Sequence, residues 1–178
     1  IRPALQVIGT EPGVERVAGM YMVQTRKGLF FFADTTVNLT PTAKELVEVI
    51  GLTAGVVRYY GVEPVVALLS HSNFGSAESE ESLRCAEAAT LAKKRFPELV
   101  IDGELQANVA LDPALLRENY PFSSLVGERV NTLIFPNLSA GNIAYKLIGE
   151  LGGGELVGPI LMGMAKPVHV LQLGTTAR

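Results

Sequence analysis

Residues 40–77 read TPTAKELVEVIGLTAGVVRYYGVEPVVALLSHSNFGSA, and the change of hydrophobic period inside this stretch decides the fold. Leu46, Val49, Ile50, Thr53, Val56, Val57 and Tyr60 recur at helical spacing. Thr40 reads as the N-cap, Pro41 as the first helical residue and Gly61 as the stop. Val65 to Leu69 follows without polar alternation, which is how a strand buried on both faces reads. The polar SHSNFGSA segment then leads into a second helix from about Glu80 to Arg95. Downstream the unit repeats: Leu99 to Ile101 reads as a strand, Glu104 to Ala110 and Pro113 to Glu118 as helical, and Thr132 to Phe135 as a strand. NLSAGN opens a helix with Ile143, Leu147, Ile148 and Leu151, closed by Gly152-Gly153-Gly154, and Leu156 to Leu161 and Val168 to Leu171 supply two more strands. Upstream, Val17 to Val23 and Leu29 to Phe32 flank Arg26-Lys27-Gly28 as a hairpin. The expected class is α/β, doubly wound, with a mostly parallel sheet covered on both faces.

The 178 residues carry 48% hydrophobic and 19% charged side chains. Average soluble domains hold ~25% charged residues, so buried strands or a subunit interface are expected and disorder is excluded. A net charge of −3 without a basic stripe argues against nucleic acid as a partner. No apolar run reaches the ~18 residues of a membrane span and no signal peptide opens the sequence, so neither a membrane nor export is expected. The single cysteine fits a reducing, cytoplasmic setting. Beginning at Ile1, the sequence reads as part of a longer polypeptide.

Ligands of open α/β sheets bind beyond the carboxyl ends of the strands, and three segments there carry polar chemistry. They are Ser70 to Ser76, Asp102 to Gln106, and Asn137 to Asn142 with Lys146 one turn further. Each has a plainer alternative: helix capping for the hydroxyls and amides, a solvated helix face for Lys146, and turn or N-cap duty for Asp102 and Glu104 rather than acid–base pairing. His71 and His169 lack spaced metal-ligating companions, so no metal is expected, and Cys85 reads as a small core residue. Neither a GxGxxG after a strand nor a P-loop lysine is present.

The strings VVALLSHSNFGSA, VIDGELQANVAL, PFSSLVGE, NTLIFPNLSAGNIAYKL and VGPILMGMAKPVHVLQLG resemble, in order, the phosphate acetyltransferase (phosphotransacetylase) family over essentially the whole chain. SNFGS, QANVAL, NYPFS, VHVLQLG, GVERVAGMYM and DTTVNLTPTA look more like the phosphotransacetylase-like C-terminal domain of bacterial NADP-dependent multimodular malic enzymes. The resemblance implies a three-layer αβα fold of the isocitrate/isopropylmalate-dehydrogenase-like type. It implies an inserted second domain over 12–159, with 1–11 and 160–178 as remnants of a split first domain whose other half is absent.

Family members transfer acetyl between coenzyme A and phosphate, and charge growing on oxygen in that transfer needs fixed donors. Arg2 matches the family's LRPALQ arginine. The family's DLSRG serine and arginine fall on Gln172 and Leu173, a family lysine on Asn119, and the STKGS threonine and lysine on Asn73 and Phe74. The family's catalytic aspartate would lie just after Arg178. Removing one oxyanion donor costs ~10² to 10³ in rate, so no catalytic residue and negligible turnover are expected. The resemblance instead implies a cleft for acetyl-CoA or phosphate formed by Arg2, Ser139, Asn142, Lys146, Gln172, Leu173, Gly174 and Thr175. Acetyl-CoA would be an allosteric effector, NADP and a divalent metal would belong only to a malic-enzyme domain of the same chain, and a homodimer or higher homo-oligomer is implied. The competing readings are a working phosphate acetyltransferase and a ligand-free dimerisation module.

Overall fold

The computed structural model describes residues 2–168, and the strand expected over Val168 to Leu171 lies almost wholly outside them. Helix α1 (Arg2–Ile8) leads to strands β1 (Ala18–Thr25) and β2 (Gly28–Ala33), paired antiparallel as the expected hairpin. Helix α2 (Ala43–Tyr59) starts two residues later than read from the sequence. Its N-cap is Thr42, not Thr40, because Thr42 and Glu45 satisfy each other: the Glu45 amide donates to Thr42 Oγ1 (3.3 Å) and the Thr42 amide to Glu45 Oε2 (2.8 Å). Gly61 ends the helix at φ +75°, a conformation that costs other residues a Cβ clash, and the amides of Gly61 and Val62 close onto Arg58 and Val57 carbonyls.

Strand β3 (Val65–Leu69) is buried at all five positions, and α3 (Glu80–Arg95) begins at a Ser79 cap and turns Cys85, Ala88, Ala89 and Ala92 inward. Burial pushes the Cys85 thiol up to about 12, so it stays protonated. Strand β4 (Val100–Leu105) corrects the sequence reading. Glu104 and Leu105 continue the strand, with Leu105 in register with Leu69, and only α4 (Ala107–Ala110) of the expected longer helix forms. The Asp-Gly-Glu chemistry that suggested a turn is accommodated because both carboxylates meet fixed donors, described below. The chain continues through α5 (Pro113–Asn119), β5 (Thr132–Ile134), α6 (Leu138–Glu150) and β6 (Gly154–Met162).

The sheet order is β4-β3-β5-β2-β1-β6. The first four strands are parallel and β1 and β6 are antiparallel additions, a mixed, mostly parallel sheet. One face packs Phe31, Val66, Leu68 and Ile134 against Leu46, Ile50 and Ala88 of α2 and α3. The other packs Phe32, Ala67, Leu69 and Leu133 under α4, α5 and α6. At one edge, residues 9–11 run beside 163–165, with the Glu11 amide donating to the Gly163 carbonyl and the Ala165 amide to the Gly9 carbonyl. Among the described residues no helix is long and apolar enough to cross a membrane.

The Thr42 amide, with help from Arg16, holds the Glu45 carboxyl below its usual value against the opposing effect of partial burial. Thr42→Ala is expected to cost about 1 kcal/mol at pH 7, read by urea denaturation. A carboxyl with a lowered folded pKa contributes stability above its unfolded value, here 4.5, and loses it as pH falls through the folded value. The stability difference between the wild type and Glu45→Gln should therefore narrow below pH 4.5.

Candidate functional site

The loops after β3 and β5 flank the point where the chain's winding diverges: β3 leads outward to β4, whereas β5 leads across the sheet to β6. The crevice between them is where an open sheet of this kind accepts a ligand.

The first loop is built around Glu104. Its Oε1 accepts from Ser72 Oγ (2.9 Å) and from the Gly75 amide (2.7 Å), while the Glu104 carbonyl accepts from the Phe74 amide. Asn73 Oδ1 accepts from the Gln106 amide and Gln106 Nε2 donates to the His71 carbonyl, tying the loop to the end of β4. Ser72 and Asn73 are buried, so their polar atoms serve the loop rather than a passing ligand. Phe74 meets Tyr120 and Phe122 with ring centroids 5.2 and 5.0 Å away, so two segments far apart in sequence form an aromatic cluster there. Asp102 is likewise buried, paired with Lys93 and accepting from Ser123 Oγ (2.8 Å) and the Ser124 amide (3.0 Å). Each of the two carboxylates thus anchors a neighbouring segment from within β4, instead of the turn or N-cap duty read from the sequence.

The second loop caps α6 through Asn137, whose Oδ1 accepts from the Ala140 amide. Its Nδ2 crosses the crevice to Glu81 Oε2 (2.6 Å). Arg84 donates to the Pro136 carbonyl (3.3 Å) and lies 3.9 Å from Glu81, and His71 Nδ1 is 3.9 Å from the other Glu81 oxygen. Sequence reasoning missed Glu81 and Arg84. Their signal was an acid and a base three residues apart in the first turns of a helix that opens beside a strand-end loop.

A third element, Asp34 to Asn38, was also missed. The buried Asp34 carboxylate accepts from the Gly19, Thr36, Val37 and Asn38 amides and from Asn38 Nδ2. Helix α6 rests on this turn: Asn142 Nδ2 donates to the Thr35 carbonyl (3.2 Å), and a Cβ at Gly141 would stand 2.4 Å from the Asp34 carbonyl oxygen. Asn142 is therefore partly spent on positioning.

Ser139 and Lys146 are exposed on α6, and Lys146 makes no ion pair among the described residues. Lys146 borders a cleft of about 450 Å³ with Tyr21, Tyr145, Glu150 and Leu156. Tyr21 and Tyr145 stack at 3.9 Å and 15°, stiffening its floor. Of the residues read from the sequence, Ser139, Asn142 and Lys146 thus share α6. The Arg2 side chain and Gln172, Leu173, Gly174 and Thr175 lie outside what is described, as does His169. A cavity of about 540 Å³ between α2 and α3 is lined by none of these loop residues, and its two arginines are engaged: Arg16 with Glu45 and with Asn38 Oδ1, Arg95 with Glu48.

The sequence model of the family described as "Phosphate acetyl/butaryl transferase" matches residues 1–178. The chain is 40% identical over 177 residues to the phosphate acetyltransferase of Bacillus subtilis (strain 168), covering 99% of this chain and 54% of that protein. It is 45% identical over 166 residues to the NADP-dependent malic enzyme of Escherichia coli (strain K12), covering 93% of this chain and 22% of that protein. The crystal structure of a phosphotransacetylase from Streptococcus pyogenes superposes with TM-score 0.91 at 38% identity, over 98% of this chain and 54% of that one. EutD phosphotransacetylase from Staphylococcus aureus gives 0.90 at 37%, with the same coverage. The chain thus spans about half the length of the Bacillus subtilis acetyltransferase and under a quarter of the Escherichia coli malic enzyme.

Replacing Glu104 by alanine strands the Gly75 amide and the Ser72 hydroxyl. It should cost about 2 kcal/mol and speed amide exchange in the Ser70–Ala77 loop while α2 stays protected. Unchanged exchange at Gly75 would show that the loop is held by other contacts.

Proposed function

The chain belongs to the phosphate acetyl/butaryl transferase family, and on that premise we propose that it is the phosphotransacetylase-like regulatory part of a malic enzyme. In this reading it binds acetyl-CoA as an effector, supports a homodimer or larger assembly, and does not itself transfer acetyl. Malate decarboxylation, with its NADP and divalent metal, belongs to a separate domain of the same cytoplasmic polypeptide. The similarity to the Escherichia coli malic enzyme supports the setting, and the antiparallel meeting of residues 9–11 with 163–165 supports bringing the two flanking segments, 1–11 and 160–178, together, while β6 carries residues 160–162 into the same sheet as β1.

The observation that carries the ligand assignment is Lys146: an exposed ammonium free of ion pairs among the described residues, at the rim of the tyrosine-floored cleft, on the helix that also presents Ser139 and Asn142. Coenzyme A brings phosphates to such a cation, and a charge-assisted contact of this kind is worth about 1.5 to 3 kcal/mol. Gln172 and Leu173 support the non-catalytic half of the reading, because neither supplies a cation to the oxygens that gain charge in acetyl transfer. A working phosphate acetyltransferase is the second reading, favoured by the similarity to the Bacillus subtilis enzyme.

Two measurements on the full-length polypeptide decide between them. Acetyl phosphate formation from acetyl-CoA and phosphate should stay at background, and turnover at ordinary enzyme rates would overturn the regulatory reading. Lys146→Ala should raise the acetyl-CoA concentration for half-maximal response of malate oxidation about tenfold and leave the basal rate intact, since only binding of the effector is touched. An unaltered response would remove Lys146 from the site.

A further inference from the structure

The two faces of the sheet are unequally covered. One carries α2 and α3, of 17 and 16 residues, whereas the other carries α4, α5 and α6, of 4, 7 and 13. The shorter cover leaves a groove between α4–α5 and α6, floored by Phe30 and Phe32 of β2 and Leu133 of β5 and walled by Leu111 and Ile148. A volume of about 490 Å³ here adjoins a second of about 450 Å³, floored by Leu116 and Val130, and the two share Lys27, Phe30 and Leu111. Each lies in the ~300 to 1,000 Å³ range of small-molecule sites.

The mouth of this groove is cationic. Arg26 and Lys27 form the exposed tip of the β1–β2 hairpin, and Arg129 is held against it by donating to the Lys27 carbonyl. Among the described residues none of the three makes an ion pair, and Glu128 is the one acid lining either volume. The hairpin tip and Arg129 stand at the amino ends of β2 and β5, and neither volume of the groove shares a lining residue with the cleft at Lys146. The groove is therefore a separate place, and its use does not depend on the function proposed above.

We propose that this groove binds a medium-chain carboxylate, its hydrocarbon between Phe30, Phe32, Leu111 and Ile148 and its carboxylate at Arg26 and Lys27. The apolar floor selects a chain and excludes small polar anions, and the unpaired cations select a negative head. Lipid vesicles fit less well because Phe30, Phe32 and Leu133 are recessed, buried side chains and no apolar residue stands at the hairpin tip to enter a bilayer.

The test is calorimetric titration of the full-length polypeptide with decanoate, octanoate and decyltrimethylammonium. Decanoate should bind at one site per chain and more tightly than octanoate, about fourfold per methylene, and decyltrimethylammonium should bind at least tenfold more weakly. The double variant Arg26→Glu/Lys27→Glu changes only exposed side chains and should weaken decanoate about tenfold. Ile148→Trp should abolish binding by filling the groove. Should that variant lower the melting temperature markedly, Leu111→Trp serves the same purpose from the other wall. The acetyl-CoA response should be unchanged in the charge-reversed variant, which separates this site from the cleft at Lys146. Absence of decanoate binding at millimolar concentration, equal binding of the cationic amphiphile, insensitivity to both charge reversal and groove filling, or association only with phosphatidylglycerol vesicles would each overturn the proposal.

Discussion

Five consecutive buried residues, Val65 to Leu69, impose the constraint from which the rest of the structure follows. A strand with no solvent face must carry neighbours on both edges and layers on both sides. β4 and β5 supply the edges in parallel register. Parallel neighbours cannot be joined by tight turns, so each connection passes over a face as a helix and every strand-end loop is delivered to the same side of the sheet. The convergence of the Ser70–Ser76, Gln106 and Asn137 segments is thus a consequence of burial at β3 rather than of any pairing among the loop residues themselves.

Three buried carboxylates then set the shape of that converged surface. Asp34, Asp102 and Glu104 each gather donors from a segment that has no regular structure of its own: the 34–38 turn, the Ser123–Ser124 loop and the Ser72–Gly75 loop. Taking a carboxylate out of water is costly unless it is paired and hydrogen-bonded; Asp34 and Asp102 engage both oxygens, and Glu104 takes two donors on Oε1. The loops are therefore held by these charges together with apolar packing such as that of Phe74 on Tyr120 and Phe122. Helix α6 inherits its position from one of them, because Gly141 lies against the Asp34 carbonyl and Asn142 bonds to Thr35.

Helix α6 divides its residues accordingly. Gly141 and Tyr145 turn to the sheet, while Ser139 and Lys146 face outward, Lys146 beside the cleft floored by Tyr21 and Tyr145. The aromatic cluster of Phe74, Tyr120 and Phe122 occupies the far side of the same surface. Those three positions lie in the SNFGS and NYPFS segments singled out for their resemblance to malic-enzyme sequences, and the fold shows that they form one patch rather than independent replacements.

The elements with a strong period were legible in the chain itself: α3 over Glu80 to Arg95, the buried strand Val65 to Leu69, the hairpin about Arg26 to Gly28, and the capping role of Asn137. Period and cap chemistry act within a few residues, so one sequence carries them whole. Lys146, Ser139 and Asn142 were legible for the same reason, as neighbours in one helix. What depended on tertiary structure was the fate of charge. Asp102 and Glu104 read as a turn because nothing nearby in sequence declares their partners, and only the packed fold brings Lys93, Ser123, Ser72 and Gly75 to them. Likewise Glu81, Arg84 and Asp34 stood unnoticed, since the groups that give them meaning, Asn137, Pro136 and Gly19, lie 15 to 56 residues away. Local propensity is written in short windows, whereas the burial of a charge is decided by whichever distant donors the sheet order delivers.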